Sequence, residues 1–193
     1  FDKTNQAINY LTQNDKDIYR IEKSYDSVIS EYGNTPSDND SMAQNYRGLK
    51  SYNANNQPNY IRFLQDAGVY VMYPTYKVPK GTDPHEIKGQ LLNYINGVGD
   101  RYLLQSFLGV KYYLTKEDIK LPEYFKYVTK IDDIKIYKNE NYLPLGFTLD
   151  SYLTRKEYMQ LKNEEKDKAL LSSVVIDNEE EIKDFLKKQK TQT

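Results

Sequence analysis

The chain has 193 residues, 38% of them hydrophobic and 28% charged, which suits a globular protein able to bury its own core. A formal net charge of −1 argues against a nucleic-acid binder and against a polybasic membrane-surface protein, because both need an excess of Lys and Arg. The absence of Cys excludes disulfides, thiolate metal sites and a Cys nucleophile, and no run approaches the roughly 20 apolar residues of a spanning helix.

The opening FDKTNQ has neither the basic start nor the apolar core of a signal peptide. Both ends are polar and abrupt, so the chain is expected to be a piece of something longer. Thr4 is a plausible helix cap, with Ala7, Ile8 and Leu11 on one helical face and Asn14-Asp15 as the stop. Ile18–Ile21 then reads as a short strand, with Tyr19 and Ile21 on one side. GNTPSDNDS at Gly33–Ser41 has the composition of a loop. Pro58 suits a first helical turn, Tyr60, Ile61, Phe63 and Leu64 continue that helix, and Gly68 ends it.

Val69–Tyr73 is expected to be a strand, Lys77–His85 a loop and Ile87–Ile95 a helix. Tyr102–Leu108 reads as a helix closed by Gly109, followed by a strand at Val110–Leu114. Phe125–Ile131 and Ile134–Tyr137 flank Asp132-Asp133 as a tight hairpin, and Gly146–Leu149 is a further strand candidate. Thr154 and Glu157 have capping-box spacing. Further helices are expected from Asn163 and from Asn178, the latter with Ile182, Phe185 and Leu186 on one face.

The element order predicts an α+β fold, a mixed or antiparallel sheet with flanking helices. It forms a single domain over 1–193, with an α+β body at 1–150 and a helical C-terminal part at 151–193.

Chemistry-bearing patterns are few. His85 is the single histidine and lies in a loop, so a triad or His metal site lacks material. The carboxylate pairs Asp15/Asp17, Asp38/Asp40 and Asp132/Asp133 read as solvated loops, and GVGDR at Gly97–Arg101 as a turn ahead of a helix. The 20 tyrosines are more informative: a tyrosine ring packs on sugar faces while its hydroxyl seeks a polar neighbour. Tyr46, Arg47, Tyr52, Asn53 and Tyr60 form the candidate ligand-binding cluster for a polyhydroxyl ligand, weighed against tyrosines that simply fill half-buried positions. No catalytic residue, metal site or cofactor is expected.

Ordered segments along most of the chain carry a family resemblance. They are DIYRIEKSY at Asp17–Tyr25, NYRGLKSYNANNQPNYIRFLQDAGV at Asn45–Val69, LQSFLGVKYYLT at Leu104–Thr115, IYKNENYLPLGFTLDSYL at Ile136–Leu153 and LKNEEKDKALLSSVVID at Leu161–Asp177. In this order they resemble the extracytoplasmic part of the YfhO family of bacterial membrane proteins. The resemblance implies a parent similar to multi-span glycosyltransferases that take a sugar from a polyprenyl-phosphate carrier and decorate lipoteichoic or wall polymers of Gram-positive bacteria.

It further implies an extracellular domain without catalysis of its own, which positions or binds acceptor. Its partners would be its own transmembrane region, a teichoic acid or other glycan acceptor and the polyprenyl-phosphate sugar donor. Two alternatives remain open: a stand-alone carbohydrate-binding module using Tyr, Asn and Arg, and a carboxylate-dependent hydrolase.

Overall fold

The computed structural model describes residues 3–30, 33–36, 39–52, 57–69, 94–182 and 187–188, with side chains omitted at 28–30, 33–36, 94 and 181. Helix α1 (Thr4–Asn14) buries the predicted stripe Ala7, Ile8 and Leu11. Thr4 is its first residue rather than its cap, and its hydroxyl is 2.8 Å from the Tyr25 hydroxyl. Strand β1 (Arg20–Lys23) begins two residues later than expected, because Ile18 is exposed while Tyr19 and Ile21 are buried.

Four strands make the main sheet, in the order β1, β6 (Val110–Thr115), β8 (Ile134–Asn139), β7 (Phe125–Ile131). β1 runs parallel to β6, and the other neighbours are antiparallel. All six residues of β6 are buried, as befits a strand covered on both faces. One face meets α1: Ala7, Ile8 and Leu11 pack with Ile21, Tyr112, Leu114, Ile134 and Ile136. Asp132 turns the β7–β8 hairpin in a left-handed conformation (φ +56°), one that Asp adopts more readily than most residues.

Past the one-turn helix α2 (Asp40–Ala43) in chain order, a second core lies between α3 (Pro58–Asp66), α4 (Tyr102–Phe107), α5 (Arg155–Gln160) and α6 (Asn163–Leu170). It gathers Ile61, Leu64, Leu104, Val110, Leu153, Tyr158, Ala169 and Leu170, so residues beyond 150 share one apolar cluster with residues before it.

α4 closes at Gly109 as expected, in the left-handed region at φ +79°. A Cβ there would also stand 2.5 Å from Leu145 Cδ2 and 3.3 Å from the Leu143 carbonyl oxygen. Gly109→Ala is therefore expected to cost about 1–2 kcal/mol, seen as a lowered thermal midpoint. The Thr154–Glu157 capping box forms in full at the start of α5.

Four expectations change. Gly33–Pro36 is β3, paired antiparallel with β2 (Val28–Ser30), so the predicted loop begins with a short strand. Tyr94–Asn96 is β5, paired with β4 (Lys50–Tyr52), where the end of a helix was expected; β-branched Ile95 is buried in this pair, and the rest of that helix lies outside the described residues. Gly146–Leu149 joins no strand and crosses the surface as irregular chain.

The C-terminal third is mixed rather than helical. β9 (Ser151–Thr154) is flanked in parallel by β10 (Val174–Ile176) and β11 (Lys187–Lys188). The β-branched run Val174-Val175-Ile176 favours a strand, and from Asn178 a single 3-10 turn (Glu179–Glu181) forms in place of an α-helix. Phe185 and Leu186 lie outside the described residues, as do the predicted strand beyond Val69 and the Lys77–His85 loop.

Candidate functional site

Two adjoining hollows open above the second core, and they share Phe63, Leu170 and Val175. The larger, 510 Å³, is apolar and is lined by Tyr60, Phe63, Phe107, Phe147, Leu149 and Val174, with Arg20 on its edge. Its wall is a run of aromatic rings. Tyr60 and Phe63 stack at 6.4 Å and 13°, Phe63 and Phe107 at 6.0 Å and 26°, and Phe107 meets Phe147 edge-on at 5.8 Å. The Arg20 side chain is held in place by donating from Nη1 to the Leu108 carbonyl at 2.5 Å.

The smaller hollow, 230 Å³, is charged. Arg62 donates to both carboxylate oxygens of Asp177, at 2.9 and 3.0 Å. Arg155 donates to Asp66 at 2.7 Å and lies 3.7 Å from Asp177. Asn59 adds an amide to this end. Burial pushes the Asp66 carboxyl above its ordinary range, Arg62 and Lys166 pull it back, and Asp177 raises it. Tyr158 reaches the same hollow, and its buried hydroxyl has no hydrogen-bond partner among the described residues.

The helix α3 explains the arrangement. Asn59, Arg62, Phe63 and Asp66 follow the i, i+3, i+4, i+7 spacing of one helical stripe, while Ile61 and Leu64 face the core. Together the hollows offer aromatic faces at one end and paired donors and acceptors at the other. Planar Arg–carboxylate pairs can hydrogen-bond a polyhydroxyl molecule without either charge being stripped of its partner.

The predicted cluster is only partly brought together. Tyr60 lines the apolar hollow. Tyr46 is half-buried against the first core, with its hydroxyl pushed far up by burial and then by the carboxyls of Asp40 and Glu22. The Tyr60 hydroxyl is likewise raised, by burial first and in small part by Glu22, with Arg20 opposing. Arg47 is exposed and offers its carbonyl to the Ile21 N–H at 2.9 Å. Tyr52 is exposed, and its N–H donates to Asn39 Oδ1 at 2.9 Å. Asn53, Asp38 and His85 lie outside the described residues.

Carboxylates from two of the three pairs expected in solvated loops have buried cationic partners instead. Asp15 and Asp17 both hold Lys111, and Asp40 holds Lys23. Arg62, Phe63, Asp66, Arg155 and Asp177 escaped the sequence reading as site residues. The stripe on α3 was a legible signal for three of them, whereas Arg155 and Asp177 carry none.

The family model described as "Bacterial membrane protein YfhO" matches residues 1–193. This chain belongs to the YfhO family of bacterial membrane proteins. Nothing among curated proteins or solved structures matches it. Among the described residues no helix is long and apolar enough to cross a membrane. In this YfhO chain several residues that carry the resemblance have structural work: Gly109 closes α4, and Lys111 and Tyr112 tie Asp15.

Proposed function

We propose that this chain is the acceptor-positioning domain of a glycosyltransferase-like membrane protein on the extracellular face, with no catalysis of its own. The double hollow on α3 is its glycan site. The observation that carries the reading is the continuity of the aromatic wall with the Arg62–Asp177 and Arg155–Asp66 pairs. Sugar rings present apolar faces that stack on aromatics and hydroxyl edges that bond to such pairs. Membership of a membrane-protein family supports placement beside a bilayer, where a glycan acceptor and a lipid-carried donor would meet.

Calorimetric titration with neutral oligosaccharides and with teichoic acid fragments tests the site. Phe63→Ala and Arg62→Ala are each expected to weaken binding roughly tenfold, about 1.4 kcal/mol, whereas Tyr52→Ala and Arg47→Ala leave it unchanged. The reverse pattern moves the site to the exposed Arg47–Tyr52 surface, and no binding by either glycan class ends the acceptor reading. A complete reading frame without membrane spans around these residues would turn the same site into a stand-alone carbohydrate-binding module.

A further inference from the structure

Glu22 lies on β1 with 7% of its surface exposed. Its Oε1 accepts the Lys23 N–H at 3.1 Å, and its buried Oε2 has no hydrogen-bond partner among the described residues. Across the sheet it stands opposite Tyr113. Gly97 covers it: a Cβ at that residue would be 3.2 Å from Oε2, and its φ of +70° is itself a conformation glycine favours.

The charged groups facing Glu22 are Lys50, Lys23 and Asp26, and the hydroxyls of Tyr46, Tyr60 and Tyr113 also feel its charge. Lys23 is committed elsewhere, with Nζ 2.6 Å from Asp40 Oδ2 and 2.9 Å from Ser27 Oγ. Lys50 is held more loosely. It pairs with Asp26 at 2.9 Å where both side chains are partly exposed, yet its Cγ passes 3.5 Å from the point above Gly97 that lies beside Glu22 Oε2. Lys50 sits on β4 opposite Asn96, so its stem runs over the end of the β4–β5 pair.

We propose that Glu22 and Lys50 form a proton-controlled latch between β1 and the β4–β5 pair. With Glu22 protonated, Lys50 holds Asp26. When Glu22 gives its proton to solvent, the lone buried anion draws Lys50 from Asp26 to Oε2, and Asp26 is released to water. Burial, only partly offset by the Lys23 N–H and the two lysines, pushes this carboxyl up to about 7, which sets the exchange in the neutral range.

Carbon-13 and nitrogen-15 NMR titration of the 193-residue chain between pH 5 and pH 9 tests the latch. The expected result is a Glu22 midpoint near 7, with the Asp26 and Lys50 resonances moving over the same pH range as Lys50 changes partner. In Glu22→Gln the Asp26 and Lys50 signals stay flat over that range. In Asp26→Asn, a change at a partly exposed residue, the Glu22 midpoint falls by about one unit, because Lys50 no longer has a competing partner. Asp26 and Lys50 signals that stay silent while Glu22 titrates overturn the proposal, as does a Glu22 midpoint in the ordinary carboxylate range.

Discussion

Arg101→Met is expected to lower folding stability by about 3–5 kcal/mol, read as a fall in the urea midpoint with an unchanged slope. Arg101 precedes α4 and bonds in a fork to both oxygens of Asp167 on α6. Its Nη1 donates to the Ala67 carbonyl at 2.6 Å, and Nη2, shared with Asp167, also donates to the Asn163 carbonyl at 3.3 Å. One guanidinium thus ties the end of α3, the start of α6 and the turn before α4. Asp167 has 6% of its side chain exposed, and burial raises its carboxyl even with Arg101 beside it. Removing the arginine strands that carboxylate and the Ala67 carbonyl, while the exposed Asn163 carbonyl can turn to water. The double variant Arg101→Met/Asp167→Leu should recover more than half of the loss, since the stranded charge goes with its partner. A double variant no more stable than the single one would mean that the carbonyl bonds, not the ion pair, carry the effect.

Lys111→Met is expected to cost about 3 kcal/mol and to change the response to acid. Lys111 is 6% exposed, with its ammonium 2.5 Å from Asp15 and 2.7 Å from Asp17. The rings of Tyr19, Tyr112 and Tyr142 surround it, at 5.4, 5.9 and 5.0 Å from Nζ. Burial alone would lower this ammonium, but the bonds to Asp15, Asp17 and Tyr142 hold it well above its ordinary value.

Burial would likewise raise Asp15, and it is outweighed by Lys111, the Asp17 N–H and the Tyr112 hydroxyl, which together hold it low. A lowered carboxyl contributes stability that is present above the ordinary Asp value near 4 and is lost as pH falls through the lowered one. Urea midpoints measured from pH 7 down to pH 2 should therefore fall less steeply in Lys111→Met than in the unaltered chain. Parallel acid limbs would show that Asp15 keeps its low value without Lys111.

Much of the local structure was legible because it is written in neighbouring residues. The Ala7, Ile8, Leu11 stripe, Pro58 at the first turn of α3, Gly109 behind α4 and the Thr154–Glu157 box each act within one or two turns of chain. The C-terminal strands misled for the same reason. Nothing near Val174–Ile176 or Lys187–Lys188 says that Ser151–Thr154 lies between them, so helix-like charge patterning outweighed a pairing that exists only in three dimensions.

The site divides along the same line. The sequence singled out tyrosines, and Tyr60 does line the apolar hollow, yet Tyr46 went to the other core. Arg101 sat in GVGDR, a pattern that reads as a turn, while its carboxylate partner waited 66 residues away. Asp17 and Lys111 meet across 94 residues.

By itself the sequence determined the family, the mixed α+β class, the helices around α1, α3, α4 and α6, and the hairpin at Asp132-Asp133. Tertiary structure alone decided which buried charges pair and which side chains from α3, α5, α6 and β10 meet around one hollow. Ion pairs and concave surfaces depend on distances between remote segments, and such distances leave no periodic trace in the order of residues.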